Sequence, residues 1–550
     1  MQQDRSGNLA DCKLTISNCK LNSNKTIILA LILIGSAALP SCRKEASLPQ
    51  DARTAAADAA CREKWGKGID DLPEVELVVI GAHNENIQAE FRWAFSLWHA
   101  ERFGQRVRFD WRDVGGGGSS IQTYLLNVYG AGGNPEIDVL WGGGEFPYIA
   151  LAKGLPATGP LLEQLNLPPD VFANVPEEFS GSRMYDKDRR WIGSALSGFG
   201  FLYNRGMMEK CRLAPPEHWD DLADRRFDNL LELADPNQSG SAAAAYKMII
   251  VSGEDWPGGW AKLMGVMGNA RRFSDSAGSA ANSPVLGESL VATCIDFYGA
   301  MRVAESPGQL TYVTPRGQTI FTPDPIAVLK NPPHRQLAER FVEFVMSPQG
   351  QSLWALRVGE QGGPVRSPLG RQPIRRDVYE MYSVNSRDDS ESHRVAGILP
   401  AKTSENDKIC EDKMSSPLAG ETPATHACAN SKMLPWIVNP YQAGQALELT
   451  GDQAKMNAAL GKNFTLLREL IFASAVKNRD LLHAAHVKVM ANPSRSDLTA
   501  EFNALPENIS TLEQMSQTGA RMKDPKEKDQ ILRDWEKIFA DKYKRIIDSK

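Results

Sequence analysis

Ser239-Gly240-Ser241 is the stretch of this chain whose residue types and spacing most directly suggest chemistry. It stands after a strand at 229–234 and the turn Asp235-Pro236-Asn237-Gln238, just ahead of an Ala-rich segment that reads as a helix. Backbone N–H groups and hydroxyls at a helix N-terminus hold phosphate, sulfonate or carboxylate. A plain N-cap is the other use of such serines. Further amides and hydroxyls are offered by Gly142-Gly143-Gly144, of which Gly143 and Gly144 are candidates, and by Ser276 of Ser274-Asp275-Ser276. Asn84 and Glu85 follow the first strand, Ser197 lies on a strand expected to cross between two halves of the fold, and Tyr312 stands on a later strand. All four are ligand-binding candidates, with Tyr312 as a cover; core packing is the other use of an aromatic on a strand.

Enzyme chemistry has little support. Gly115 to Gly118 followed by Ser119-Ser120 invites a phosphate-loop reading, yet the chain has no GxxxxGK[ST] and no GxGxxG properly placed after a strand. It has neither a GxSxG elbow nor HExxH. His483 and His486 share a helical stretch, LLHAAHVKVM, where two histidines on an amphipathic helix are a surface feature more readily than a metal site. The formal net charge of −5 gives no polybasic footprint, so nucleic acid is not an expected partner.

The elements that would position these residues alternate. Glu76 to Ile80 is a short apolar run closed by Gly81, suited to a buried parallel strand. Asn86 to Phe103 reads as a helix, 107–111 as a second strand, 119–129 as a helix, and Ile137 to Trp141 as a third strand stopped by three glycines. Such alternation argues for α/β architecture with a parallel sheet, whose ligands sit at the carboxyl ends of the strands. Those ends are the loops 81–85, 112–120 and 142–148. A second α/β unit begins near Trp191, where Ile192 to Tyr203 reads as a crossing strand. Residues 291–296 and 309–314 read as strands, the latter returning to the first half. Gln336 to Met346 is an amphipathic helix. Residues 386–432 contain no aromatic residue and read as a disordered, low-complexity insertion; 433–550 reads as mostly helical.

The N-terminus has its own pattern. Lys13, Lys20 and Lys25 precede the uncharged run Ile27 to Leu39, too short to span a bilayer and placed like a secretory signal. Leu39-Pro40-Ser41-Cys42 resembles a bacterial lipobox, which implies acylation of Cys42 and a chain tethered to a membrane in the periplasm or at the cell surface; the absence of Asp at Arg43 favours the outer membrane. Cys61, Cys211, Cys294, Cys410 and Cys428 then remain, with no CxxC; one bridge is possible and no pair is selected.

Three stretches, Ala234-Asp235-Pro236-x-x-Ser239-Gly240-Ser241, Thr322-Pro323-Asp324-Pro325-Ile326-Ala327 and Arg340-Phe341-Val342-Glu343-Phe344-x-x-Ser347-Pro348-x-Gly350-Gln351, together resemble the solute-binding proteins of ABC importers, in the branch that includes ferric-iron-binding proteins. The resemblance covers roughly 75–380, and 433–550 more loosely. It implies a type II periplasmic-binding-protein fold: an α/β chain of two lobes around a ligand cleft. The expected organisation is a signal peptide at 1–41, a flexible tether at 42–73, lobe 1 at 74–192, lobe 2 at 193–308, a return to lobe 1 at 309–385, the insertion at 386–432 and a helical region at 433–550.

The resemblance also implies two site chemistries. Iron members use a histidine, a glutamate and two adjacent tyrosines, oxygen-rich donors that suit Fe(III). Carried over, these are His83, Glu145 (displaced by about two residues) and Tyr298, with Phe297 where the first tyrosine stands. The other chemistry is anion capture at Ser239-Gly240-Ser241, which matches the family's anion-binding turn. The expected protein is a monomeric, lipid-anchored, non-enzymatic component that captures a small anionic solute or ferric iron and delivers it to a permease. The alternatives are a ligand-sensing receptor for a signalling partner and an envelope enzyme.

Overall fold

The computed structural model describes residue 49 and residues 51–115, 117–382 and 432–550. The signal segment, Cys42 and all of the expected insertion but Lys432 lie outside the described residues.

Two five-stranded sheets carry the fold. The first is ordered β2-β1-β3-β12-β6 and the second β11-β7-β10-β8-β9. In the first sheet β1 (Glu74–Gly81) pairs in parallel with β2 (Arg106–Arg112) and β3 (Val139–Trp141). Here β12 (Thr322–Val328) runs antiparallel between β3 and β6 (Ile192–Ser197). In the second sheet β8 (Leu231–Ala234) pairs in parallel with β9 (Ala270–Ser274) and β10 (Val291–Ile295). The antiparallel strands β7 (Phe199–Asn204) and β11 (Leu310–Val313) complete its far edge. A small hairpin, β4 (Glu178–Phe179) with β5 (Ser182–Arg183), stands apart.

The chain passes between sheets twice, at Gly198 between β6 and β7 and through residues 314–321 between β11 and β12. The expected single strand from Ile192 to Tyr203 is therefore two strands in two sheets. Likewise 309–314 is still part of the second sheet, because Leu310–Val313 hydrogen-bonds along β7; the return is made by β12.

Residues 51–73 correct the expected tether. Helix α1 (Ala52–Trp65) has Ala57 and Cys61 fully buried, and packs on α2 (Glu85–Phe103). Thr54 accepts the Trp93 indole N–H at 2.9 Å, and Arg53 lies 4.5 Å over the Trp93 ring. The segment is Ala-rich, a helix-forming composition, and puts one small-residue face against the core.

Helices follow the parallel strands and cover both faces of the sheets: α3 (Gly118–Gly130) and α4 (Glu145–Lys153) in the first, α5 (Gly240–Val251), α6 (Trp256–Gly268), α7 (Ala277–Val285) and α8 (Asp296–Glu305) in the second. Helices α9 (Arg335–Met346) and α10 (Pro348–Ala355) close the first core, where Ser347 caps α10 by accepting the Gly350 N–H at 3.1 Å. Phe91, Phe341, Phe344, Trp141 and Trp354 pack there edge-on and tilted, at centroid spacings from 4.6 to 6.4 Å.

Residues 432–450 are not helical. They run back along the first lobe, where Leu434 N–H donates to Ala355 and Tyr441 OH to Ile374. The helices begin at α11 (Gly451–Lys462) and continue through α12 (Phe464–Ile471), α13 (Arg479–Ala491), α14 (Ser496–Asn503), α15 (Leu512–Arg521) and α16 (Pro525–Asp548). Their buried face, including Leu467, Trp535, Phe539 and Tyr543, merges with the core of the second sheet.

Candidate functional site

Parallel strands expose their carboxyl ends together, so each sheet presents a row of strand-to-helix turns. From the first sheet come His83-Asn84 ahead of α2, Gly117-Gly118 opening α3, and Gly142-Gly143-Gly144 opening α4. From the second come Asp235 to Ser239 ahead of α5, Asp275-Ser276 ahead of α7, and Asp296-Phe297 opening α8. The rows approach one another. Asn84 Nδ2 lies 3.9 Å from Met301 Sδ on α8, and Arg371 spans both.

Arg371 is the centre of the floor. It is 3 % exposed. Its Nη1 donates to Asp324 on β12, and its Nη2 donates to Ser197 Oγ at the end of β6 at 2.5 Å. Its guanidinium lies 5.0 Å over the Phe297 ring of the opposite lobe. Asp324 also accepts the Gly144 N–H at 2.9 Å. Burial alone would raise the Asp324 pKa; the Arg371 charge, with these hydrogen bonds, holds it below the usual carboxylate range instead. The sequence achieves this locally: Pro323 and Pro325 flank Asp324, and the register with β6 shifts between Asp324 and Pro325. Prolines cannot complete a ladder, and a bulge re-aims the side chain at its apex.

His83 is wedged beside this pair. Its ring lies 4.3 Å from the Trp141 ring and 5.8 Å from Trp354. Its Nδ1 is 3.5 Å from Arg371 Nη1 and 4.0 Å from Asp324, while its buried Nε2 has no partner. Burial drives its pKa down to about 4, against the pull of Asp324 and with the help of Arg371, so the imidazole is neutral. Gly142 must be glycine here: φ is +81°, and a Cβ would stand 2.8 Å from His83 Nε2. Asp296, fully buried, accepts the Gly198 N–H at 2.8 Å and the Phe297 N–H at 2.8 Å. Burial pushes its pKa up to about 7, partly opposed by Arg371.

Ser239 is the N-cap of α5, accepting the Ala242 N–H at 3.2 Å, and lies 3.3 Å from Ser241 Oγ. Space above Gly240 is open, with nothing within 4 Å of where a Cβ would be. Ser276 caps α7 in the same way, accepting the Ser279 N–H. Its first turn abuts Tyr298, which touches Phe297 at a ring spacing of 4.4 Å. The 236–237 turn ahead of Ser239 is held by α12: Arg468 donates to the carbonyls of Pro236 and Asn237, and Asn237 donates to Glu469.

Several expected residues do not converge. Glu145 faces Lys247 of α5 across the lobes; desolvation raises its pKa to about 7 against the Lys247 charge, and desolvation lowers that of Lys247. His83 points into its aromatic cage, and Tyr298 packs on Phe297 and α7. His83, Glu145 and Tyr298 thus each have packing partners of their own. Among the described residues no three His, Cys, Asp or Glu side chains are grouped to hold a metal. Tyr312 is not a cover. Its ring packs beside Leu202, Ala281 and Cys294, its hydroxyl donates to the Cys294 carbonyl at 3.4 Å, and it leaves no room for a Cβ at Gly299. His483 and His486 lie against Gly268 and the second core. Arg371 was not a candidate from sequence at all: a lone Gly-Arg-Gln between elements carries no spacing signal.

Residues 161–369, which hold both crossings, the anion-type turn and the segment up to Leu369, match the family described as bacterial extracellular solute-binding protein. The segment is similar to that of a bacterial extracellular solute-binding protein. The phosphoglycerate transport regulatory protein PgtC of Salmonella typhimurium is 27% identical over 164 residues, 30% of this chain. The match spans 40% of that relative's length. Among solved structures, the periplasmic binding protein P5PA is 17% identical with a TM-score of 0.43, covering 74% of this chain and 99% of its own. AfuA from Actinobacillus pleuropneumoniae, with fructose-6-phosphate bound, is 21% identical with a TM-score of 0.40, covering 50% and 81%.

Proposed function

We propose that this solute-binding protein captures a small phosphorylated anion between its lobes and delivers it to an ABC permease. The observation that carries the reading is the pair of serine-capped helix N-termini, at Ser239-Gly240-Ser241 and Ser276, opening at the same edge of the second sheet, with open space over Gly240. A phosphate there would take amide N–H groups and hydroxyls together with two helix dipoles. Gly143, Gly144, Asn84 and Glu85 would close on it from the first lobe, and Ser197 would act from the floor through Arg371. Closure is a population shift driven by contacts made to both lobes at once. The likeness to a phosphoglycerate-related protein supports a phosphate ester over ferric iron. Anchoring through Cys42, export to the periplasm or cell surface and a monomeric state belong to the same reading. A second reading, a receptor that passes the closed state to a signalling partner, is favoured by that relative's regulatory name.

Titration calorimetry with phosphate esters on the wild type and on Ser239→Ala with Ser241→Ala tests this reading. Losing two hydroxyl contacts should weaken binding by about 1–3 kcal/mol in total. Equal affinities in the two proteins would place the phosphate elsewhere.

A further inference from the structure

Arg371 carries more donors than its partners use. A guanidinium has five N–H groups and two edges able to grip an oxyanion side by side, one formed by both terminal nitrogens and one by Nε with Nη2. The first edge is spent on Asp324 and Ser197. Nε is buried and has no partner. A buried unpaired N–H on a residue fixed this firmly is a vacancy for an acceptor. The surroundings say which kind. Arg371 and Asp324 balance one another. Asp296, on the facing lobe, is pushed up to about 7 by its burial and so adds little negative charge below neutrality. With the phosphate on the helix ends, the oxyanion that fits this planar edge is a carboxylate. The path from this edge to the phosphate turn is short in contacts: Phe297 lies beneath the guanidinium, Tyr298 beside Phe297, and the first turn of α7 against Tyr298.

We propose that Arg371 is the specificity-determining residue of this cleft, reading a carboxylate on its Nε–Nη2 edge, so that the solute is a phosphorylated carboxylic acid with its phosphate on the serine-capped helix ends. This rests on the phosphorylated-anion reading above and deepens it.

The test is titration calorimetry on the full chain with 3-phosphoglycerate and glycerol 3-phosphate, which differ only in a carboxylate against a hydroxymethyl group. Wild type should prefer the carboxylate by on the order of 10- to 100-fold, the effect of one hydrogen bond to a charged group. Arg371→Lys keeps a charge for Asp324 and loses the second edge, so the preference should fall to a few-fold. Arg371→Gln combined with Asp324→Asn removes both charges together and should bring the preference to about one. If the double variant does not fold, Arg371→Lys decides. A wild type without preference, or a preference that survives Arg371→Lys undiminished, overturns the proposal while leaving phosphate capture standing. If neither ester binds wild type, the phosphate reading fails and the proposal falls with it.

Discussion

Gly142 and Gly144 offer a controlled pair of perturbations in one loop. Both have positive φ, +81° and +78°. An alanine at such a φ costs about 1–3 kcal/mol in backbone strain, and Gly144, with ψ 173°, lies where essentially only glycine is found. At Gly144 the added Cβ meets nothing within 4 Å, so the backbone cost is the whole cost. At Gly142 it would stand 2.8, 2.9 and 3.1 Å from three atoms of the His83 ring. That ring cannot retreat, because Trp141 lies at 4.3 Å behind it and the Asp324–Arg371 pair at its other side. Overpacking a well-filled site typically adds about 1–3 kcal/mol. Gly142→Ala should therefore lose roughly that increment beyond its backbone strain. Chemical denaturation with matched m-values measures the cost. If Gly142→Ala costs no more than backbone strain alone, about 1–3 kcal/mol, His83 is not pinned as described and the floor is looser than the geometry requires.

Other expectations concern charge and lobe contact. His83 and Asp296 oppose each other in pH. The folded imidazole refuses a proton until about pH 4, so stability is lost as pH falls from 6.5 toward 4, by up to ~3 kcal/mol. The folded Asp296 carboxyl keeps its proton to about pH 7, so stability present below about pH 4 is lost as pH rises toward 7, by up to ~4 kcal/mol. Asp296→Asn removes the second dependence; its melting temperature relative to wild type should climb between pH 4 and 7, and a constant offset would refute the assignment. Phe464 of α12 stacks on Phe146 of α4 at 6.0 Å, where the helical region touches the first lobe. An aromatic pair is worth about 0.5–1.5 kcal/mol, so Phe464→Ala should cost two- to tenfold in solute affinity if the contact belongs to the closed state; unchanged affinity would show that it does not. Glu90, buried on α2, accepts the N–H groups of Val365, Arg366 and Ser367 and so fixes the segment leading to Arg371. Glu90→Ala, which leaves three amides unpaired, should destabilise by about 3 kcal/mol or more, and full retention of stability would mean that the loop is anchored otherwise.

Much of this architecture was legible. The apolar run at β1 and the triple glycine after Trp141 marked strand ends that do open toward the cleft, because a strand buried on both faces must be apolar and its turn must tolerate positive φ. The Ser239 turn was legible for the same local reason: an N-cap is written in adjacent residues. Arg371 was not, since its partners come from β6 and β12, far away in sequence, and only the sheet order brings them together. Asp324 could be seen as part of a Pro-Asp-Pro motif but not as the counter-ion of an arginine. Asp296 was not legible in its role, because that it begins a helix and caps the Gly198 crossing depends on tertiary pairing. Tyr312 failed because alternation on an edge strand gives a side but not which layer covers it. The 51–65 helix failed because alanine composition alone does not separate a linker from a helix with a docking face.

Native mass spectrometry with metal analysis, on the chain purified without chelator and then offered 3-phosphoglycerate, tests the central claim most directly. The account predicts one phosphorylated organic adduct per chain and no bound iron. One iron per chain, with no organic phosphate retained, would contradict it and return His83, Glu145 and Tyr298 to consideration as ligands.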